Sequence, residues 1–408
     1  MTAAPGSLWR NREFTLLWLS QALSDLGSAI AALAVPLLLL GSGYSPAQAG
    51  LVGTVGLAVI VLGRLPAGVL ADRVDRRRVM LACDVVRLLA FGALGVLAMR
   101  GAATLAVVVL VTVIAASAQA CFGTAEHSAL RTIVPVAQLP AAVARNEARS
   151  YATSLAGPPI GGLLFQLARS LPFVGNAATF LLSLIGVALI RRPLQQPRAE
   201  QPAGHASALA EGLRFVFGNP FLRAVLLIAA PLNFAIQGII FTLIVTLQRH
   251  HTPPSVIGTV ETIVAVGGLL GALVAPTLQS RVRLPVLIRG ICWTAAAFLA
   301  CSALFAESVA AAVPIAAAVF LGPASNAALF AHQAAITPDR LQGRVVSVVI
   351  TVATSVASSA PLLAGTLITA WGSAVAILFF ATAVAVSAVA ATVSRGIRVM
   401  GPVEELAG

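Results

Sequence analysis

The chain has 408 residues, of which 59% are hydrophobic and only 10% charged, and its mean hydropathy is +0.95. Soluble domains carry about 25% charged residues, so the composition excludes an ordinary soluble protein and indicates a chain surrounded mostly by lipid. The net charge of +12 comes from arginine alone, because the sequence has no lysine. Without lysine, neither a P-loop nor a pyridoxal Schiff base can form. We therefore expect no cofactor. In a chain surrounded by lipid, the location of the charge matters more than the net charge, so we expect no nucleic-acid partner either.

Apolar runs of about 20 residues, the length that crosses a bilayer, recur twelve times along the chain. They predict an all-α integral membrane protein with twelve transmembrane helices. The predicted spans lie near 14–40, 47–70, 79–99, 103–127, 147–168, 171–190, 221–248, 255–279, 285–305, 309–330, 345–369 and 371–393.

The arginines predict the orientation of these spans. Of the 26 arginines, Arg64 and Arg87 lie well inside spans, and Arg149, Arg223 and Arg289 lie within the first five residues of a span and are counted with the side from which it starts. Three, Arg100, Arg169 and Arg249, lie in outer connections. The other 21, including those at span starts, fall on the opposite side. Because basic residues concentrate on the cytoplasmic side of a membrane, we expect a multi-pass protein of the inner (cytoplasmic) membrane with both termini in the cytoplasm.

A long polar stretch, 191–220, divides the chain into an N-terminal bundle (1–190) and a C-terminal bundle (221–408). The apolar residues near the end of this linker have helical spacing, which predicts a short amphipathic helix at the inner membrane surface. The segment 53–55 (GTV) recurs at 258–260, an offset of 205, whereas Asp25 meets Asn233 near an offset of 208. Such matches indicate two homologous six-span halves, the organisation of secondary transporters.

The connection between spans two and three, GRLPAGVLADRVDRRR at 63–78, is short and strongly ionic. Together with the twelve spans and the repeat, it resembles the major facilitator superfamily, whose loop has the pattern G-x-L-A-D-R-x-G-R-R/K. The resemblance implies two pseudo-symmetric six-helix bundles, with the loop as a cytoplasmic gate. Its aspartate would lie at the inner end of span eleven, and its arginines would hold the two halves closed. The alternative is that these charges only fix the topology. The matching gate residues are Gly68, Asp72, Arg73, Arg76 and Arg77, with Leu70 and Ala71 between them, and Asp75 replaces the commonest glycine.

Span five contains GPPIGG at 157–162, which resembles the GPxxGG core of the motif found in exporters of that superfamily. The resemblance implies that Gly157, Gly161 and Gly162 let the helix approach a neighbour closely and that Pro158 bends it. The alternative is ordinary packing of small residues, and Thr153 replaces an upstream glycine of the fuller motif.

Two further segments narrow the resemblance. EGLRFVFGNPFLR at 211–223 and PDRLQGRVVSV at 338–348 are similar to the branch that holds macrolide-efflux proteins and enterobactin exporters. Span four departs from the R-x-x-Q-G pattern of drug–proton antiporters, because Gln119 fits the glutamine but Ala116 replaces the arginine. A proton mechanism that depends on that arginine is therefore not implied.

Ionisable side chains inside a membrane are costly and therefore indicate function. Asp25 lies near the middle of span one and Glu261 about six residues into span eight, and both are candidates for proton or substrate coupling. The alternatives are a packing hydrogen bond for Asp25, to Ser24, Ser28 or another span, and contact with outer-face water for Glu261. Glu126 is either a third coupling acid or the partner of Arg131 in a local ion pair near the inner end of span four.

Asp84 and Arg87 are three residues apart on one helical face, which predicts a local ion pair near the inner surface, shared with Arg64.

The resemblance implies a cavity lined by spans one, four, seven and ten. We expect no arginine near mid-membrane and therefore a moderately apolar cargo. The cysteines and His250-His251 show no metal-ligand pattern, and no metal is expected. The cavity candidates are Asn233, Phe234, Gln237 and Asn326.

These features predict a secondary active transporter, a proton-coupled antiporter that exports lipophilic small molecules such as drugs, antibiotics or siderophores. Its partners would be the lipid bilayer, the cargo and protons, and we expect a monomer. The alternatives on the same fold are a proton-coupled importer and a lysophospholipid flippase. An intramembrane enzyme is disfavoured, because the sequence contains neither H-E-x-x-H nor G-x-S-x-G.

Overall fold

A computed structural model of the chain describes residues 8–195, 205–338 and 341–398. Over these ranges the chain forms α-helices and short 3-10 turns, with no strand, so the all-α class predicted from the sequence is confirmed. The helices are α1 (Arg12–Gly41), α2 (Pro46–Arg73), α3 (Arg76–Met99), α4 (Leu105–Ile133), α5 (Leu139–Leu167), α6 (Leu171–Ala188), α7 (His205–Gly218), α8 (Pro220–Arg249), α9 (Pro254–Arg281), α10 (Leu284–Ser302), α11 (Ala312–Ile336), α12 (Gln342–Ser358), α13 (Ala360–Trp371), α14 (Ser373–Val393) and α15 (Arg395–Arg398).

Eleven helical stretches of the described chain are long and apolar enough to cross a membrane. They correspond to the predicted spans with the fifth left out, and α12 and α13 together form one of them. Helix α5 has 29 residues, which reach about 44 Å, but its first half carries Arg145, Glu147 and Arg149. These charges make the fifth predicted span less apolar than the other eleven.

The helix boundaries repeat along the chain at a constant offset in residue number. Helix α8 starts and ends at the positions of α1 shifted by 208 in the numbering, α9 repeats both bounds of α2 at the same offset, and α10 repeats the start of α3. Asn11 and Asn219 occupy equivalent positions, and the side chain of each accepts a hydrogen bond from the first turn of the following helix, which stabilises that end. The offset of 205 predicted for the second span of each half is therefore wrong.

The chain forms two compact units. Of the described residues, unit 1 contains 8–44, 55–195 and 252–262, and unit 2 contains 45–54, 205–251, 263–338 and 341–398. Neither unit is a continuous stretch of sequence, because each includes a short segment from the other half. The division of the chain at the linker 191–220 remains a prediction.

In unit 1, α1 packs against α5 and α6, and α3 packs against α4 and α6. Large buried side chains fill the space between them, among them Phe14, Met80 and Phe122. In unit 2, α8 packs against α12, α13 and α14, and α10 packs against α11 and α14. Burial of these apolar faces holds each unit together.

The short helix predicted before span seven is present as α7. It packs against α12 of the same unit: Val216 is buried among Val345 and Val348, and Glu211 forms an ion pair with Arg344. The amphipathic pattern in the sequence therefore reflects, at least in part, packing against protein. Its position at the membrane surface remains a prediction.

Candidate functional site

Arg149 of α5 joins two carboxylates in the interior of unit 1. Its Nε donates a hydrogen bond to Oδ2 of Asp25 on α1 at 3.1 Å. Its Nη1 and Nη2 both donate to Oε1 of Glu126 on α4, at 3.3 Å each. The side chains of Arg149 and Glu126 are each 6% exposed, and that of Asp25 is 22% exposed. We call Asp25, Glu126 and Arg149 the carboxylate–arginine triad.

The triad holds two carboxyl groups but only one guanidinium. If both carboxyl groups are ionised, the site carries one surplus negative charge, and such a charge is costly in a buried, poorly solvated position. A proton on either carboxyl group removes that surplus and leaves a one-to-one ion pair. Because the three residues lie on α1, α4 and α5, a change in protonation also changes which helices Arg149 joins.

Two sequence-based expectations about this site are wrong. The sequence predicts no arginine near mid-membrane, whereas the guanidinium of Arg149 contacts Asp25, the fourteenth of the 30 residues of α1. Spacing along α4 pairs Glu126 with Arg131, whereas its partner is Arg149 of another helix. His127 lies 3.9 Å from Glu126 but is largely exposed.

A signal for Arg149 is present in the sequence. Arg149, Thr153, Gly157 and Gly161 follow one another at intervals of four and therefore share one face of α5. The last two face α1, because a Cβ at Gly157 would lie 2.3 Å from Ala29 Cβ and one at Gly161 would lie 2.9 Å from the Ile30 carbonyl oxygen. Arg149 lies two turns before Gly157 on the same face, so its side chain reaches the part of α1 that holds Asp25.

A second buried ion pair lies beside the triad. Arg87 Nη2 donates to Asp84 Oδ1 at 2.6 Å, and the two side chains are 1% and 0% exposed. Ser183 donates to the other oxygen of Asp84 at 2.8 Å. Arg87 Nη1 donates to Gln119 at 2.5 Å and to Ser24 at 3.3 Å. The predicted ion pair is confirmed, and its further partners come from three neighbouring helices, α1, α4 and α6.

The guanidinium of Arg87 also lies 4.4 Å from the ring centroids of both Phe122 and Phe180. These cation–π contacts stabilise a charge that water cannot reach. The expected third partner, Arg64, is exposed. Since Ser24 precedes Asp25, this network and the triad meet at one turn of α1.

The gate motif lies at the end of α2 and the start of α3. Arg76 Nη1 donates to the carbonyl oxygens of Ser128, near the end of α4, at 3.3 Å and of Leu194 at 3.0 Å. Arg77 donates to the carbonyl oxygen of Ala188, the last residue of α6. A cation is favourable at a helix carboxyl end, and all these contacts lie within unit 1.

These contacts differ from the expected role of the two arginines, which is to hold the two halves closed. Arg73 is exposed and Gly68 has open space beside it. The side chain of Asp72 lies outside the residues that the structure describes, so its place at span eleven remains a prediction.

The glycines of the exporter motif lie at close helix contacts. Gly157 and Gly161 face α1, and a Cβ at Gly162 would lie 2.1 Å from the carbonyl oxygen of Pro254 on α9. The carbonyl oxygen of Pro158 in turn lies 2.2 Å from where a Cβ at Gly258 would be. No side chain fits at these positions without moving a backbone, so the motif brings α5 close to α1 and to the start of α9.

Unit 2 contains a cavity of about 80 Å³ between α8, α10, α11 and α14. Asn233 and Asn326 both line it, together with Ser325 and five isoleucines. The other two cavity candidates lie elsewhere: Phe234 is buried with its ring 5.1 Å from that of Phe380, and Gln237 is not among the lining residues. We call this space the α8–α11 cavity.

Glu261 lies in the part of α9 that belongs to unit 1. Its side chain is half-buried, and its Oε1 has no hydrogen-bond partner among the described residues. At the offset of 208 it corresponds to Gly53, so the first half has no carboxylate there. Over the same described residues, no group of three or more His, Cys, Asp or Glu side chains could hold a metal ion.

Comparison with known proteins gives consistent results. Residues 17–322 match the model of the family described as Major Facilitator Superfamily. The multidrug efflux pump Tap of Mycobacterium tuberculosis is 29% identical over 285 residues, which cover 67% of each chain. Macrolide efflux protein A of Streptococcus pyogenes is 26% identical over 273 residues, which cover 65% of this chain and 66% of that protein.

Solved structures agree on the fold. A bacterial homolog of the human lysosomal transporter Spinster, crystallised in an inward-facing and unoccupied conformation, superposes with a TM-score of 0.74. The two chains are 16% identical, and the superposition covers 97% of each. At this identity the likeness concerns the fold alone.

Proposed function

Because the chain belongs to the Major Facilitator Superfamily, we propose that it is a proton-coupled antiporter that exports lipophilic small molecules. The family identifies it as a multi-pass membrane transporter and not an enzyme. The resemblance to macrolide-efflux proteins inferred from the sequence is thereby confirmed. Proton coupling, direction and cargo are the parts that we propose.

The observation that carries proton coupling is the carboxylate–arginine triad. One guanidinium shared by two carboxyl groups leaves room for one proton. When Asp25 or Glu126 takes up that proton, Arg149 loses one of its two anionic partners. When the proton leaves, Arg149 again has two anionic partners, Asp25 and Glu126. A transporter can use such an exchange to make one conformation depend on proton binding, because a ligand shifts an equilibrium only through its differential affinity for the two states.

Export is supported by the relatives, whose names are multidrug efflux pump and macrolide efflux protein, and by the resemblance of residues 157–162 to an exporter motif. We further propose that the protein lies in the cytoplasmic membrane with both termini inside, on the strength of the arginine distribution. In that orientation, protons that move inward down their gradient would drive cargo outward.

Transport into inside-out membrane vesicles tests this proposal. We expect a radiolabelled macrolide to accumulate only when the vesicle interior is acidic, and a protonophore to abolish the accumulation. Asp25→Asn and Glu126→Gln should each reduce the pH-driven accumulation at least tenfold without preventing folding. Glu147→Gln changes an exposed acid of α5 and should transport as the unmodified chain does.

The same assay separates the alternatives. Accumulation that requires an alkaline interior would indicate an importer. Accumulation of a lysophospholipid, but not of the macrolide, without any pH gradient would favour a flippase. Full pH-driven transport by Asp25→Asn would remove the triad from the mechanism.

A further inference from the structure

We propose that the α8–α11 cavity of unit 2 binds a short alkyl group of the cargo, and that Ser325 donates one hydrogen bond to a neutral acceptor atom beside that alkyl group. This inference rests on the proposed function only because it takes the cargo to be a small molecule. It goes further because it states the chemical class of that cargo. The class is a neutral molecule that has short alkyl branches beside a single strong hydrogen-bond acceptor.

The size of the cavity limits its occupant. An engineered cavity of about 150 Å³ accommodates benzene, so the 80 Å³ found here admits a short alkyl chain and not a whole drug molecule. The walls favour such a group, because five isoleucines line the space. The cavity is therefore a subsite that holds one branch of a larger molecule.

The charge of the lining limits the occupant further. Among the described residues that line the cavity, none is ionisable. A cationic or anionic group would lose its hydration there and gain no partner of opposite charge, which is strongly unfavourable. The ionised groups near Asp25 belong to unit 1, and the position of unit 2 that corresponds to Asp25 is Asn233. Unit 2 thus offers an uncharged site where unit 1 offers a charged one.

The hydroxyl group of Ser325 supplies the specific contact. Ser325 is 2% exposed, and its Oγ has no hydrogen-bond partner among the described residues. Other buried serines of this unit are satisfied: Ser302 donates to the Leu299 carbonyl at 2.7 Å and Ser387 to the Ile228 carbonyl at 3.0 Å. A buried hydroxyl without a partner is unfavourable, so an acceptor on the occupant would satisfy it.

The amide groups beside Ser325 are consistent with a neutral polar contact. Asn233 Nδ2 already donates to the Ala229 carbonyl at 2.8 Å, which orients the amide at the edge of the cavity. Asn326 follows Ser325 in the chain and lines the same space. Both amides are dipolar but uncharged, so they tolerate a polar head group without selecting an ion.

A matched pair of probes tests the proposal on the purified full chain in detergent. Tributylphosphine oxide is neutral, with butyl arms and one strong acceptor, whereas tetrabutylphosphonium has the same arms and a positive charge but no acceptor. Isothermal titration calorimetry measures both affinities. We expect the oxide to bind at least tenfold more tightly than the phosphonium, with the same affinity at pH 6 and pH 8.

Two variants locate the binding. Ser325→Ala removes only the hydroxyl and should weaken oxide binding about fivefold, the loss of one hydrogen bond. Ala295→Leu adds three carbon atoms to the cavity wall and should weaken it at least tenfold. Ser302→Ala, a buried serine outside the cavity, is the matched control and should bind as the unmodified chain does. If Ala295→Leu does not fold, as judged by thermal unfolding, Ser325→Ala decides.

The proposal is overturned if the oxide does not bind, if the phosphonium binds more tightly, or if Ser325→Ala binds the oxide as well as Ser302→Ala does. These experiments involve no proton gradient. A failure of pH-driven transport in vesicles would therefore refute the proposed antiport and leave this binding result standing. A failure of oxide binding would refute the proposed subsite and leave the antiport untouched.

Discussion

At the scale of single residues, Arg149 joins three helices of unit 1 through one side chain. It uses all three side-chain nitrogens: Nε contacts Asp25, and both terminal nitrogens contact Glu126. Only a planar, forked cation can reach two carboxylates from different helices in this way. The positive charge alone does not provide that geometry.

We therefore predict that Arg149→Lys loses pH-driven transport although it keeps the charge. A lysine ammonium is compact and can pair well with only one of the two carboxylates, so the helices α1 and α4 are no longer joined through α5. The measurement is uptake into inside-out vesicles, with Arg145→Lys, one turn earlier on α5, as the control. Transport by Arg149→Lys within twofold of the unmodified chain would show that charge alone suffices.

Arg87 has a different role, because it is enclosed by protein on all sides. We predict that Asp84→Asn lowers the free energy of unfolding by about 3 kcal/mol, since it leaves a buried guanidinium without its anionic partner. Denaturant unfolding in mixed micelles measures this, and Asp75→Asn, which keeps an amide cap at the start of α3, is the control.

The double variant Asp84→Asn/Arg87→Met completes this test. Because it removes both charges together, it should be less destabilised than the sum of the two single variants. If the double variant loses as much unfolding free energy as the two single variants together, Asp84 and Arg87 do not stabilise one another.

The sequence reveals the acids of the site directly, whereas it marks their partner only through the register of Arg149 with Gly157 and Gly161 on α5. Asp25 and Glu126 stand out because carboxylates are rare in apolar runs. Arg149 does not, because it precedes the apolar core of its span, in a stretch that resembles an interfacial segment. Sequence spacing predicts Arg131 as the partner of Glu126, because spacing identifies only neighbours on the same helix. A contact between α4 and α5 depends on how the helices pack, which no local pattern encodes.

At the scale of helices, two equivalent crossings repeat in the molecule. In unit 2, a Cβ at Gly50 of α2 would lie 2.2 Å from the Pro361 carbonyl oxygen of α13. In unit 1, the same relation holds between Gly258 of α9 and Pro158 of α5, again at 2.2 Å. Gly50 and Gly258 are related by the same offset as the helix boundaries, so the two crossings belong to the internal repeat. Sequence comparison at the offset of 205 aligns Gly53 with Gly258 and misses this equivalence.

We predict that Gly50→Ala and Gly162→Ala destabilise the protein. The added methyl groups would lie 2.2 Å and 2.1 Å from backbone carbonyl oxygens, so the helices must separate. Elsewhere in a helix, glycine to alanine is stabilising by up to about 1 kcal/mol. Gly92→Ala in α3, which has open space beside it, is the control and should unfold at the same or a higher temperature. Equal shifts in all three variants would contradict the close crossings.

At the scale of the whole molecule, a duplicated set of helices carries different chemistry in its two halves. The bounds of α1 and α2 recur in α8 and α9, yet Asp25 corresponds to Asn233 and Gly53 to Glu261. Helix lengths are preserved because the thickness of the bilayer fixes them, whereas polar interior residues are free to diverge with function. This is why composition and periodicity predict the helices well and predict the site only in part.

The arginine distribution leads to a prediction about the complete chain in its membrane. The connection before α4 should lie outside the cell and the connection before α3 inside. In a chain whose four cysteines are replaced by alanine, we expect Ala102→Cys to react with a membrane-impermeant maleimide in right-side-out vesicles, and Val74→Cys to react only in inside-out vesicles. Both positions are exposed in the structure, so accessibility depends on the side of the membrane alone. The opposite pattern would reverse the orientation, and with it the direction in which a proton gradient drives the cargo.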